Sequence, residues 1–218
     1  MPLTYPLSAA QFMQLMLIAD LTFDDPENVE TNMTGGGEVM KATLAPQLWS
    51  GEARLGNMTD REARDPDVLL SLLRGVGRTF YCYDTRRPGP RLDRTGAILG
   101  AAAVVIASLP NTQEMTLSGL PAGYVLSRGD WLAFDYGTAP VRRALHRVVN
   151  ASVTASGGGV TPVFEVQPNI RLGATVATPV TLIRAACKAV LEAGGATKGM
   201  GAQTIYSGMS FRFKQTLR

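Results

Sequence analysis

The chain has 218 residues, of which 45% are hydrophobic and 18% charged. That is enough to bury a core in one large domain or two small ones, and it excludes a globally disordered chain. The formal charge of +3 argues only weakly for nucleic acid, because it is not one basic patch. Residues 1–60 carry two basic against eight acidic side chains, a net −6, which leaves +9 for the remainder.

Twenty-three glycines favour a turn-rich β protein over a helical bundle. Cys82 and Cys187 are the only cysteines. They read as reduced, buried thiols, with pairing as the alternative. The apolar run Phe12–Ala19 is too short to cross a bilayer and has no basic segment before it. Neither a signal peptide nor membrane insertion is expected.

In chain order, residues 4–18 suggest a short helix with Ser8 as N-cap and Phe12, Leu15 and Met16 on one face. A strand competes over "QLMLIADLTF". From Asp24 to Gly37 the chain is polar and ends in a glycine triplet. Residues 38–44 then alternate as a half-buried strand.

The clearest helix lies near 60–74. Thr59 and Glu62 have capping-box spacing, and Val68, Leu69, Leu72 and Leu73 form an apolar stripe before Gly75. Pro66 fits only a first turn, so the regular helix could instead begin at Asp65. An aromatic strand, "RTFYCYD", follows.

The Pro-, Gly- and Arg-rich "TRRPGPRLDRTG" marks a domain boundary. Beyond it the run Ala97–Ser108 and the segments "MTLSGL", "DWLAFDYG", "RRALHRVV" and "VFEVQP" predict short strands of a small antiparallel barrel. "VTLIRAACKAVLEAGG" has helical spacing, and "TIYSGMSFRFKQTL" alternates as a long strand.

No catalytic, cofactor or metal constellation emerges. His146 is the only histidine, in a strand without a nucleophile elbow nearby. "DDPENVE" lacks the spacing of a calcium loop. "AGGATKGMGAQT" lacks the Lys-Ser/Thr pair of a P-loop and reads as a flexible loop. Asp130 and Asp135 fall on opposite faces of one strand, which argues against joint catalysis. Arg128-Gly129-Asp130 is a short adhesion-like match, better read as a tight turn. Trp131, Ala133 and Asp135 share one face of the next strand; Leu132, Phe134 and Tyr136 share the other. That strand should be packed on both sides. Arginine outnumbers lysine 17 to 4, a bias that suits planar pairing at interfaces.

The order of these motifs resembles the distal tail proteins of long-tailed (siphovirus-type) bacteriophages and prophages. It runs through "ATLAPQLWSGEARL", "DVLLSLLRGVGRTFYCYD", "RRPGPR", "LSRGDW", "RRALHRVV" and "FEVQPNIR", from about Met40 to Arg171. The resemblance implies a mainly β protein with one or two helices. A β-sandwich-like ring-forming domain (1–87 plus 169–218) would hold an inserted small antiparallel β-barrel (88–168) projecting outward. It also implies that the segment 180–193 is strand. The implied role is structural, not enzymatic: a homo-oligomeric ring, generally a hexamer, joining the tail tube protein to the hub or baseplate proteins. Assembly would take place in the host cytoplasm and the protein would end at the virion tail tip, with no sequence-specific nucleic acid bound.

On that view the ring contacts would be heterologous. Asp24, Asp25 and Glu27 would meet Arg86, Arg87, Arg91 and Arg94 of the next copy. The alternative is a receptor- or carbohydrate-binding module, with Trp131 or Tyr136 as a platform for host saccharide. A cell-wall hydrolase is the third reading.

Overall fold

The computed structural model describes residues 3–202 and 204–218. In chain order the strands before the helix are β1 (Ile18–Leu21), β2 (Val29–Met33), β3 (Val39–Thr43), β4 (Ser50–Leu55) and β5 (Met58–Thr59). Helix α1 (Asp60–Leu73) and strand β6 (Phe80–Cys82) follow. Then come β7 (Val105–Ser108), β8 (Glu114–Ser118), β9 (Val125–Ser127), β10 (Trp131–Tyr136), β11 (Arg142–Val148), β12 (Ser152–Thr154) and β13 (Phe164–Gln167). The chain closes with β14 (Val180–Thr181), β15 (Cys187–Ala202) and β16 (Ile205–Gln215).

The protein is mainly β and has two cores. The first sheet runs β1-β4-β16-β15-β6, with β5 pairing β16. Its core gathers Phe12, Trp49, Phe80, Phe211 and Phe213, all fully buried. The second sheet runs β14-β10-β11-β13-β8-β7 and curls into a nearly closed barrel. Closure comes from the approach to β14: Ile106 N–H donates to Thr178 O, Ala177 N–H to Ile106 O, and Val180 N–H to Val104 O. Such near-closure shortens the exposed sheet edges.

Strand β10 serves both cores, as its two apolar faces predict. Trp131 and Ala133 pack in the first core, Leu132, Phe134 and Tyr136 in the second. Hydrogen bonds reinforce the junction: Trp49 Nε1 donates to Leu145 O at 2.7 Å, and Gln215 Nε2 to Arg143 O at 3.1 Å. The barrel is therefore docked on the first unit along β10 and β11. Ile170, Val180 and Leu182 pack in the barrel's core, and the chain rejoins the first sheet only at Cys187. Residues after 168 that the resemblance assigns to the ring-forming domain thus pack in the barrel's core.

Several local expectations change. Helix α1 starts at Asp60, because Thr59 and Glu62 make both bonds of the capping box, and Pro66 lies inside it. Proline has no N–H, so the Glu62 carbonyl goes without its intrahelical partner. The buried stripe is Ala63, Pro66, Leu70 and Leu73, whereas Val68 is exposed. Residues 8–16 form hydrogen-bonded turns, not a regular helix; Ser8 still caps Gln11, but Leu15 faces out. Of the run 97–108 only Val105–Ser108 is strand. β3 is exposed throughout, not half-buried.

The segment 180–193 is strand at 180–181 and from 187 onward, with a turn at 183–184. Its helical spacing reflects small residues packed on a sheet. The glycine-rich 193–202, expected as a loop, is the outer half of β15; Gln203 lies outside the described residues. Glycine here permits close approach: a Cβ on Gly199 would lie 2.5 Å from Ser207 O.

Candidate functional site

The sequence-predicted arginines converge. Arg86, Arg87, Arg91 and Arg94, joined by Arg128, line one cleft of about 270 Å³ with Gly89, Pro90, Gly129 and Asp130. The cleft is built by two turns. In the first, buried Asp84 accepts from the Arg86 backbone N–H at 3.0 Å and from its Nε at 3.1 Å, while Arg87 N–H closes on Asp84 O. In the second, Asp130 N–H bonds back to Ser127 O, and Gly129 supplies the required φ of 84°.

Asp130 ties the two turns together. One oxygen accepts from Ser127 N–H at 2.7 Å and the other from Arg91 N–H at 2.9 Å. Only 5% of it is exposed. Burial raises its carboxyl above the usual range, opposed by those two amides and by the charges of Arg91 and Arg87. "Arg-Gly-Asp" is thus a structural turn whose acid points inward and whose arginine points into the cleft. Arg91 Nη2 donates to Arg128 O and Arg128 Nε to Val149 O. Among the described residues, the side chains of Arg87 and Arg94 make no hydrogen bond or ion pair. Both carboxylates of the cleft are buried and bonded inward, so its open surface is positive. Such an array of planar donors suits carboxylate or phosphate.

The acidic trio is not in this cleft, and its members divide. Asp25 is a structural residue: its carboxylate takes Arg147 at 2.6 Å and Gln167 at 3.0 Å, and its side chain is only 7% exposed. It fastens the N-terminal segment to β11 and β13, and Arg147 lies over the Trp49 and Trp131 rings. That corrects its assignment to an interface. Asp24 is exposed beside its backbone bridge to Ser50. Glu27 pairs with Lys41 at 3.0 Å at the root of the β2–β3 hairpin.

The saccharide platform is also corrected. Trp131 and Tyr136 are 5% and 4% exposed. Trp131 packs edge-on against Trp49, with centroids 4.9 Å apart, and against Phe23. Neither ring offers a face to a ligand. A saccharide platform needs an exposed ring, and a strand shared by two cores has no free face.

His146 is a core residue. Its Nδ1 lies 2.6 Å from Pro168 O, and its ring stacks on Phe134. Burial lowers its pKa from 6.5 to about 4, so the ring is neutral near pH 7. Cys82 and Cys187 sit directly opposite each other on β6 and β15 as free thiols, and Cys187 Sγ donates to Cys82 O. Burial raises both thiols, Cys187 to about 12; the neighbouring Cys187 and Asp84 raise Cys82 further. Among the described residues no three His, Cys, Asp or Glu side chains are grouped to hold a metal, and no helix is long and apolar enough to cross a membrane. Neither a scan against protein-family models nor a search of the curated proteins finds a match for this chain.

Proposed function

We propose that this chain is a structural virion protein: a distal tail protein that forms a ring, of the hexameric kind, at the end of a phage tail tube and links the tube to the hub or baseplate. The ordered motifs from Met40 to Arg171 are the starting point. The observation that carries the reading furthest is the distribution of unpartnered surface. The fold holds an open cleft of five arginines, and the acidic N-terminal sixty residues include the β2–β3 hairpin, whose strands are exposed and pair only with each other among the described residues. Opposite charges at separate places on one chain favour head-to-tail contact, the geometry that closes rings. A structural role, not catalysis, fits a buried neutral His146 and carboxylates engaged in holding turns. Tail tube and hub proteins are then its neighbours.

Immunogold labelling of tailed particles from a producing host tests this. Gold at the distal tail end, one cluster per particle, is the expected result. Label on the capsid or along the tube, or none on particles, would overturn the reading.

A further inference from the structure

The β2–β3 hairpin and the arginine cleft are complementary. Every strand residue of the hairpin except Val29 is exposed, and Met33, Val39, Met40 and Leu44 are each more than half exposed. The two strands pair only with each other. A two-stranded ribbon with no cover on either face is marginal in water, and an uncovered apolar surface of this kind marks a contact site.

The register separates the two faces. Glu30 opposes Ala42, Asn32 opposes Met40, and Val39 opposes Met33, which leaves Glu38 beside Thr34 at the tip. Side chains alternate along a strand, so Glu30, Asn32, Glu38, Met40 and Ala42 share one face. That face has no basic residue. Lys41 lies on the other, held by Glu27. Glu30 and Glu38 have no ion pair among the described residues and stand about 13 Å apart, four strand residues, with Met40 between them.

We propose that the cleft receives the Glu30–Glu38 face of the β2–β3 hairpin from a neighbouring copy. Within one chain the two surfaces do not meet: no hairpin residue lines the cleft. The contact is therefore between copies, and repeated in one direction from copy to copy it is the heterologous contact of a ring. Arg87 and Arg94, whose guanidinium groups have no partner among the described residues, are the receiving groups, while Arg86, Arg91 and Arg128 are anchored around them. This inference rests on the ring reading and names the contact that would build the ring.

Charge reversal in the full chain tests it. A hairpin variant (Glu30→Lys with Glu38→Lys) has a positive hairpin and a positive cleft. A cleft variant (Arg87→Glu with Arg94→Glu) has both negative. Each alone should associate at least about 30-fold more weakly than wild type by light scattering, the loss typical of a broken interfacial charge pair. A 1:1 mixture should recover assembly, because hairpins and clefts then alternate in sign. Thermal unfolding monitors the fold of each variant, and the mixture controls for damage, since misfolded chains do not rescue each other. If wild type assembles and the variants assemble equally, or the mixture fails to recover, the hairpin–cleft contact is wrong and the ring stands. If wild type stays monomeric, both fall.

Discussion

Trp131 and Asp130 are adjacent and have opposite tasks, one joining two cores and the other two turns. The tryptophan packs on Trp49 and Phe23 across the junction, and the aspartate holds Ser127 and Arg91 amides on the cleft side. Alternation in "DWLAFDY" showed that both faces of the strand are apolar. It could not show that each face meets a different core, because that depends on partners distant in sequence. Asp25 was misplaced for the same reason: its partners Arg147 and Gln167 lie more than a hundred residues away.

His146 gives a measurable consequence at this scale. Its folded pKa, near 4, lies below its ordinary 6.5, so the unfolded chain binds the proton first as pH falls. The stability contributed by the neutral ring is complete above pH 6.5 and is lost progressively down to about pH 4. Unfolding free energies from urea titrations should fall over that interval with a slope of up to about 1.4 kcal/mol per pH unit from this residue. In His146→Leu the slope should be shallower by that amount. Identical slopes in the two proteins would show that the ring is not buried and neutral.

Among the elements, the clearest sequence signals were those closed by local chemistry. The capping box fixes the start of α1, and the alternation of "TIYSGMSFRFKQTL" appears as β16. Thr59→Ala should destabilise the protein by about 1 kcal/mol, and Thr59→Ser by much less, in denaturant titrations. Equal stability of Thr59→Ala and wild type would mean that packing alone sets the helix start. Signals failed where tertiary contact overrides local preference. Pro66 lies in mid-helix with its ring buried, and small residues in 185–189 follow a helical period yet pack into a sheet. The alternation of residues 38–44 appears as β3, but no core among the described residues covers it, and its partner β2 falls in a stretch that reads as polar turn.

For the molecule as a whole, glycine-rich composition pointed to a β-rich protein but left one domain or two open, and the charge asymmetry of −6 against +9 has its basic side gathered in part at the arginine cleft. Four of the five cleft arginines were visible as a cluster in "TRRPGPRLDR"; Arg128 joins them only through the fold. The extent of the barrel unit was not legible, since closure depends on residues 177–182 returning to β7 and β10. Self-association is the claim on which the functional reading depends, and negative-stain imaging of the purified full chain at low salt tests it most directly. The expected result is a closed ring with a central hole that disperses as salt is raised. A monodisperse monomer at every salt and concentration would contradict it.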